Sequence, residues 1–379
     1  MRYSLLSRFQ GTLAGVSLGS QLTRSPEKFI SSVASPRATH QKAQTLLNLK
    51  KHQSVRYPSD REEEGLTATD EESLVAQMTS SLIRCQGLER VDWDRSGQEW
   101  QQQNQQRKQS STEQERDNSG RLSEKSGKRR CGLSVGEVAL ATLPIALYFH
   151  DQPDRLQQEV QDGIQVWQHS APAAVGEQAI LSFSHAIALA LKEELDQTRL
   201  IPNLLKHLDP ESDWHQQLQQ VQRLAEQRVS LETAREQLLK SSNPVHRNGI
   251  GVREQVDRET TAIALAFYGF VSTPHEPAIA LWRTVEIAGA SPIVTALTGA
   301  LSGAYNSFSS FPLSWQLQLK TTASEAQGTT EGVKFSRELL QQATELFAVW
   351  SGVYNTANPL WEKIAPTQAV AAANGMRIR

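Results

Sequence analysis

Residues 288–305 read Ala-Gly-Ala-Ser-Pro-Ile-Val-Thr-Ala-Leu-Thr-Gly-Ala-Leu-Ser-Gly-Ala-Tyr, and this stretch decides the fold prediction. Its apolar periodicity predicts a helix over residues 291–306. Ala290, Pro292 and Ile293, at the start of that helix, carry no side-chain oxygen. A hard cation such as Mg²⁺ needs carboxylate, carbonyl or hydroxyl ligands. The stretch therefore predicts a helix whose start lacks the carboxylates of a metal site.

A second glycine-bearing segment lies near the other end of the chain. Residues 8–20 read Arg-Phe-Gln-Gly-Thr-Leu-Ala-Gly-Val-Ser-Leu-Gly-Ser, inside a helix that we predict over residues 3–22. Gly11, Gly15 and Gly19 recur every four residues and so share one face of that helix. Because glycine weakens a helix, three glycines on one face predict the close approach of another backbone.

The remaining sequence also follows a helical period. We predict a loop over residues 31–68, with a short helix around Gln41–Leu49, and then a helix at residues 70–88. The other predicted helices lie near residues 134–149, 154–168, 175–195, 199–208, 213–240, 256–270, 275–289 and 333–353. Runs of alternating β-branched residues, the usual sign of strands, do not occur. The predicted fold class is all-α, in a single domain over residues 1–379.

Residues 95–130 differ in composition from the rest of the chain. A run of Gln and Asn at residues 101–106 leads into Ser, Glu, Lys and Arg, with almost no apolar side chain to bury. This composition predicts a polar, disordered insertion. The segment ends in Lys128-Arg129-Arg130, which could form a small basic patch for an acidic partner. We interpret it instead as part of a solvated insertion.

Charge and cysteine content limit the classes of function. The formal net charge is −2 and the pI is about 6.5, which argues against general binding to nucleic acid or to a membrane surface. An apolar run of the length needed to span a membrane does not occur. Cys85 and Cys131 make neither a disulfide framework nor a metal site. A reducing cytoplasm is therefore the expected location.

The segments quoted above resemble the ADP-ribosylglycohydrolase family. Residues 8–20 are similar to the family opening R-F-x-G-x-L-x-G-x-A-x-G-D, and residues 288–305 to its C-terminal metal segment G-G-D-T-D-T-V-A-A-I-A-G-A-L-A-G-A-Y. Between them, Thr69-Asp70-Glu71-Glu72-Ser73-Leu74 can be laid over the motif T-D-D-T-x-M, although a Thr-Asp-Glu-Glu run is also typical of a helix start. Phe311-Pro312-Leu313-Ser314-Trp315 resembles the family's I-P-x-x-W. The resemblance spans about residues 8–320 and implies an orthogonal helical bundle with a central cleft.

The resemblance also implies two metal ions in that cleft, which orient the ribose and activate water to cleave an ADP-ribosyl bond. Ser20, Ala290 and Pro292 stand where the family has metal-binding aspartates, and Ile293 stands where it has a ligand threonine. Ser20 and Ser291 could offer hydroxyl groups, but neutral oxygens do little to offset the dehydration of a dication. We therefore expect no catalytic residue, no bound metal and no other cofactor.

Two main hypotheses about function follow from this chemistry. The first is an inactive family member that acts in binding or regulation, through a nucleotide or ADP-ribose-like ligand in the cleft or a protein partner on its helical surface. The alternative is an active hydrolase of an ADP-ribosyl or related N- or O-glycosidic bond, with Asp70, Glu71 and Glu72 around a single Mg²⁺. A structural scaffold without a ligand is a third hypothesis. The family cleft positions are the candidate ligand-binding residues: Ser20, Thr69, Asp70, Glu71, Ala290 and Ser291.

Overall fold

The computed structural model describes residues 3–26, 29, 70–118, 133–167, 174–241, 252–286, 291–320 and 331–353. Within these ranges it contains fifteen α-helices, a single 3₁₀ turn and no strand, so the all-α prediction is confirmed. The helices are, in chain order, α1 (Leu5–Arg24), α2 (Asp70–Cys85), α3 (Arg90–Asn118), α4 (Val135–Ala141), α5 (Leu143–Tyr148), α6 (Pro153–Gln165), α7 (Ala174–Leu191), α8 (Leu200–Leu205), α9 (Asp213–Glu226), α10 (Leu231–Ser241), α11 (Val252–Ser272), α12 (Pro277–Glu286), α13 (Pro292–Asn306), α14 (Leu313–Lys320) and α15 (Glu331–Trp350). The predicted short helix at Gln41–Leu49 lies outside the described residues.

Two predicted helices are each divided in two. The helix expected at residues 134–149 stops at Thr142 and restarts as α5, with Pro144 in its first turn. Proline is tolerated there because the first amides of a helix have no partner inside it. The helix expected at residues 213–240 divides into α9 and α10 near Arg228, whose φ of 50° is incompatible with a continuous helix.

Residues 95–118, predicted as the first part of a disordered insertion, instead form most of α3. The buried residues Trp93, Ser96, Trp100 and Asn104 recur at spacings of three and four, so they share one face of the helix. The indole Nε1 of Trp100 also donates a hydrogen bond to a serine of α2 at 2.7 Å. The large aromatic side chains of Trp93 and Trp100 therefore hold α3 against the bundle. The average composition of this helix is that of an unfolded chain. The rest of the predicted insertion lies outside the described residues.

Helices α1 and α13 form the centre of the bundle and pack as an antiparallel pair. A Cβ atom on any of the three glycines of α1 would lie 2.5 Å or less from a backbone oxygen of α13. The facing pairs are Gly11 with Gly303, Gly15 with Gly299, and Gly19 with Thr295. The predicted close approach of another backbone is thus confirmed, and α13 is the helix that makes it.

Arg8 ties this central pair to helix α7. Arg8 is 5% exposed, and its Nη1 donates hydrogen bonds to the carbonyl oxygens of Ala190 at 2.5 Å and Ala304 at 3.4 Å. Nη2 forms an ion pair with Glu193 at 2.8 Å. Both carbonyls lie in the last turns of their helices, where a positive charge is stabilised by the helix dipole. Arg8 therefore fixes the ends of α7 and α13 against α1.

The other helices surround the central pair and supply the apolar contacts. The larger core includes side chains from α2, α4, α7 and α11, while a second cluster joins α1, α12 and α14 around Trp315. Of the helices in the described part of the chain, none has the length and apolar character needed to cross a membrane.

Candidate functional site

Four helix ends meet where the resemblance placed the family cleft. Helix α1 contacts both α2 and α13, and α4 contacts the same two helices. The last turns of α1, the first turn of α2 and the start of α13 carry the candidate site residues, and the start of α4 lies beside them. Helix starts present unpaired amides and favour acidic side chains, which is consistent with the acidic first turn of α2.

One polar face of α1 lies against the start of α2. Ser17, Ser20, Gln21 and Arg24 are spaced at i, i+3, i+4 and i+7, which places them on the same side of the helix. The hydroxyl of Ser17 donates a hydrogen bond to Glu72 Oε1, and Gln21 Nε2 donates to the same oxygen at 2.9 Å. These contacts fix the register of α1 on α2 and place Ser20 at their junction.

The two adjacent glutamates of α2 are in different situations. Glu72 is fully buried and accepts hydrogen bonds from α1. Glu71 is 8% exposed, and its Oε2 has no hydrogen-bond partner among the described residues. Burial raises the pKa of Glu71 above its usual value, an effect that the nearby Arg24 only partly offsets. The charges of Asp70 and Glu137 raise this pKa further. Burial thus makes the charged form of Glu71 less favourable than that of an exposed glutamate.

Ser20 is the second polar residue at this junction whose hydrogen-bonding capacity is unused. Its side chain is completely buried, and its Oγ has no partner in the described part of the chain. Leaving a buried polar atom without a partner costs about 1–3 kcal/mol. Natural structures contain few such atoms, and each calls for a physical explanation.

The first two residues of α13, Pro292 and Ile293, carry no polar side-chain group. Ser291 is the N-cap and accepts a hydrogen bond from the Ile293 amide at 3.2 Å. The side chain of Ile293 packs on α4, since a Cβ atom on Gly136 would lie 2.5 Å from Ile293 Cγ2. The hydroxyls of Thr23 and Thr295 share a hydrogen bond of 2.6 Å between α1 and α13. The contact of Ile293 with Gly136 is apolar, and it lies where the family has a ligand threonine.

The side chains at the junction do not fit a pair of metal ions. Ser20 and Pro292 bring no carboxylate, and the hydroxyl of Ser291 already accepts a backbone hydrogen bond. Glu72 is engaged with α1. Within the described ranges, no group of three or more His, Cys, Asp or Glu side chains is placed to hold a metal ion.

The structure describes four of the six predicted site residues. Ser20 lies in the last two turns of α1, between the residues Ser17 and Gln21 that contact α2, while Asp70 and Glu71 begin α2 and Ser291 is the N-cap of α13. Thr69 and Ala290 lie outside the described residues, so their predicted roles stay predictions.

Sequence reasoning missed the polar stripe of α1 and also Glu137. The stripe has a recognisable signal, since Ser17, Gln21 and Arg24 recur with a helical period in an otherwise apolar segment. Glu137 forms a capping box with Ser134, a pattern that the Ser-x-x-Glu sequence would have predicted.

One family model matches most of the chain. The model of the family described as ADP-ribosylglycohydrolase matches residues 1–354. A comparison with curated proteins gives no match. Among solved structures, 28 chains match. One of them, described as an ADP-ribosylglycohydrolase-related protein complex, is 15% identical with a TM-score of 0.49 and covers 89% of this chain and 99% of that chain.

Proposed function

Because the chain belongs to the ADP-ribosylglycohydrolase family, we propose that it is a catalytically inactive member that binds an ADP-ribose-like ligand. The proposed binding site is the cleft where α1, α2, α4 and α13 meet. The observation that carries the proposal is the chemistry of this junction. Among the described residues, it keeps unused buried polar atoms on Ser20 and Glu71 and has no group of three or more His, Cys, Asp or Glu placed to hold a metal ion.

Loss of the family reaction follows from the residues at the ends of the helices. Two-metal hydrolysis depends on carboxylates that hold both ions and position the attacking water. Serine at position 20, alanine at 290 and proline at 292 remove the carboxylates from α1 and from the start of α13. A cleft without those carboxylates can still bind and orient a sugar or nucleotide by hydrogen bonds, and this supports a role in binding or regulation.

The alternative is a hydrolase with a shifted site around one Mg²⁺. It is favoured by the three consecutive acids in the first turn of α2, Asp70, Glu71 and Glu72. Two features oppose it. Glu72 already accepts hydrogen bonds from Ser17 and Gln21, and burial raises the pKa of Glu71 and so disfavours the charged form that a dication binds best.

Thermal melting of the purified protein with ADP-ribose, with Mg²⁺ and with both tests the proposal. A ligand that binds only the native state raises the apparent stability, by about 2.7 kcal/mol at a concentration one hundred times Kd. We expect ADP-ribose alone to raise the melting temperature, and Mg²⁺ to add nothing.

Other outcomes of this experiment would point elsewhere. A shift that requires Mg²⁺, together with hydrolysis that is lost in Asp70→Ala, would support the shifted hydrolase. No shift with either addition would reject the proposed ligand and favour a protein partner on the helical surface.

A further inference from the structure

We infer that direct side-chain contacts join the ends of α1, α2, α4 and α13, and that they do so in place of divalent cations. Family membership implies metal ions at this junction, yet among the residues that the structure describes no group of three or more His, Cys, Asp or Glu is placed to hold one. The contacts support the cleft and do not depend on what it binds. They therefore stand or fall independently of the proposed binding of ADP-ribose.

The first contact is a set of hydrogen bonds between α1 and α2. Ser17 Oγ and Gln21 Nε2 both donate to Oε1 of Glu72, the second at 2.9 Å. Gln21 Nε2 also donates to Ser17 Oγ, at 3.1 Å. Glu72 is fully buried, and a buried carboxyl group is costly unless it is hydrogen-bonded. The two donors of α1 therefore hold Glu72, and with it the first turn of α2, in one position.

The second contact is a hydrogen bond between α1 and α13. The hydroxyl oxygens of Thr23 and Thr295 lie 2.6 Å apart, and each is also within hydrogen-bonding distance of a carbonyl oxygen of its own helix. Both hydroxyl protons can therefore be used, one between the helices and one on a carbonyl. The backbones are close at this point, because a Cβ atom on Gly19 would lie 2.3 Å from the carbonyl oxygen of Thr295. The hydrogen bond thus ties the last turn of α1 to the start of α13.

The third contact is apolar and lies between α13 and α4. A Cβ atom on Gly136 would lie 2.5 Å from Ile293 Cγ2, so Ile293 packs directly on the backbone of α4. Glycine at position 136 provides the room for this side chain. A hard cation takes oxygen ligands, and the methyl groups of Ile293 supply none where the family has a ligand threonine. The start of α13 is therefore held to α4 by packing.

Together the three contacts connect α1 to α2, α1 to α13, and α13 to α4. Cations that took ligands from several helix ends would make connections of the same kind. The fold should therefore need no divalent cation, since each connection is complete within the protein. Carboxylates restored at positions 20 and 292 should also fail to create a metal site, because Glu72 and Ile293 remain engaged in other contacts.

The first experiment measures how much Glu72 contributes to stability. We expect Glu72→Ala to lower the melting temperature by roughly 5 °C or more, because Ser17 and Gln21 lose an acceptor inside the protein. The loss should be the same in EDTA and in Mg²⁺, and Glu72→Gln, which keeps Oε1, should recover part of it. Glu226→Ala is the matched control. Glu226 also accepts from a glutamine Nε2 at 2.9 Å, but on the exposed surface of α9, so the change should be below about 1 °C.

The second experiment uses Mn²⁺ alone as the probe, followed by electron paramagnetic resonance of the free ion. The wild-type chain, Pro292→Asp and the double variant Ser20→Asp/Pro292→Asp should all leave the Mn²⁺ signal unchanged. The single variant is included because aspartate is favoured at the start of a helix, whereas an aspartate in place of the completely buried Ser20 is costly. Thermal melting of the wild-type chain should give the same melting temperature in EDTA and in Mg²⁺.

Three results would overturn the inference. Glu72→Ala as stable as Glu226→Ala would show that Glu72 does not hold α1 and α2 together. Mn²⁺ that binds the wild-type chain and is lost in Glu72→Gln would make Glu72 a metal ligand. Mn²⁺ binding by Pro292→Asp would show that the junction is open to a cation. ADP-ribose is measured separately: if it fails to raise the melting temperature while the Glu72 variants behave as expected, the proposed function is rejected and the contacts stand.

Discussion

Gly15 and Gly299 touch through their backbones: a Cβ atom on either residue would lie 2.0 Å from the carbonyl oxygen of the other. Real Cβ contacts are never this short, so the crossing of α1 and α13 requires glycine on both sides. The same crossing sets where the last turns of α1 meet α2 and the start of α13. The packing of two glycines at the centre of the bundle therefore positions the candidate site.

Replacing either glycine by alanine should destabilise the fold strongly. In Gly15→Ala the new methyl group meets backbone atoms of Gly299, which cannot rotate away as a side chain can. We expect a loss of about 3 kcal/mol or more in the free energy of unfolding, at or above the upper end for overpacking in a core. Urea titration followed by circular dichroism measures it.

Gly163→Ala is the matched control for this prediction. A Cβ atom there would also be crowded, at 2.5 Å, but by the terminal Cδ1 atom of Ile145. That methyl group can move, and alanine is favoured over glycine inside a helix by about 1 kcal/mol. Equal losses in the two variants would contradict the idea that backbone contact distinguishes Gly15.

Glu71→Gln should stabilise the unliganded protein at neutral pH. Burial raises the pKa of Glu71 in the folded state above the usual 4.5, so the folded state binds the proton more tightly than the unfolded state. The folded state is therefore destabilised as the pH rises from the pKa of Glu71 in the unfolded chain to its pKa in the folded protein. The loss of stability is complete above the folded-state pKa. Glutamine is neutral throughout and avoids this loss.

Melting temperatures of wild type and Glu71→Gln from pH 4 to pH 8 measure this effect. The two curves should converge near pH 4 and separate as pH rises, with the variant more stable. A constant difference at all pH values would mean that packing, and not ionisation, causes the change. The exposed Glu226→Gln variant should follow the wild-type curve throughout.

Trp100→Ala tests whether the Gln-rich part of α3 is folded onto the bundle. Trp100 is 3% exposed and its indole donates to Ser73 Oγ at 2.7 Å. Truncating a buried tryptophan costs about 3–5 kcal/mol, whereas Gln102→Ala on the exposed face of the same helix should cost less than about 0.5 kcal/mol. Chemical unfolding of both variants gives the values. If Trp100→Ala were as mild as Gln102→Ala, this part of α3 would not be packed on α2.

Arg8→Met should cost about 1–3 kcal/mol of stability, because it removes the donor from buried carbonyl groups and also removes the ion pair with the partly exposed Glu193. The lost contacts are those with Ala190, Glu193 and Ala304. Arg8→Lys keeps the charge but not the planar fork, so it should recover only part of the loss. Thermal unfolding of the two variants separates the contribution of the positive charge to stability from that of the guanidinium geometry. Equal stability of Arg8→Met and wild type would show that the ends of α7 and α13 do not depend on Arg8.

Cys85 should react slowly with alkylating reagents at neutral pH. Burial, together with Glu89 and Asp92, raises the pKa of this thiol from 9.0 to about 11. The thiolate is the reactive form, so two pKa units reduce the rate by about 100-fold relative to an unperturbed cysteine. Peptide mass spectrometry after iodoacetamide treatment follows Cys85 separately from Cys131. The rate should recover in urea, and a rate that is the same in native and unfolded protein would contradict the shift.

The sequence predicted the parts of the structure that depend on a local period. Gly11, Gly15 and Gly19 share a face by spacing alone, and that spacing correctly indicated a close backbone contact. The anchoring of α3 was missed because only two aromatic residues, Trp93 and Trp100, supply it within a long polar run. The average composition of a segment does not reveal one or two buried aromatic residues within it.

The site was less predictable than the fold. Ser20, Asp70 and Glu71 were identified by their positions in a resemblance, but their different states depend on how α1 crosses α2. The sequence alone could not indicate that Glu72 would be hydrogen-bonded to Ser17 and Gln21 while Glu71 Oε2 would have no partner among the described residues. Hydrogen bonds between residues about 50 positions apart are set by tertiary packing, which no local pattern encodes.

The pairing of α1 with α13 also determines when the protein can fold during synthesis. The glycine face of α1 leaves the ribosome early, but its partner surface around Gly299 and Gly303 is made only after nearly 300 further residues. At the usual rate of translation of about 5–20 residues per second, this delay is roughly 15–60 s. Throughout that time the nascent chain exposes the apolar surface that will become its core. We therefore expect synthesis in cells to depend on chaperones that shield α1, and fragments that end before α13 to aggregate.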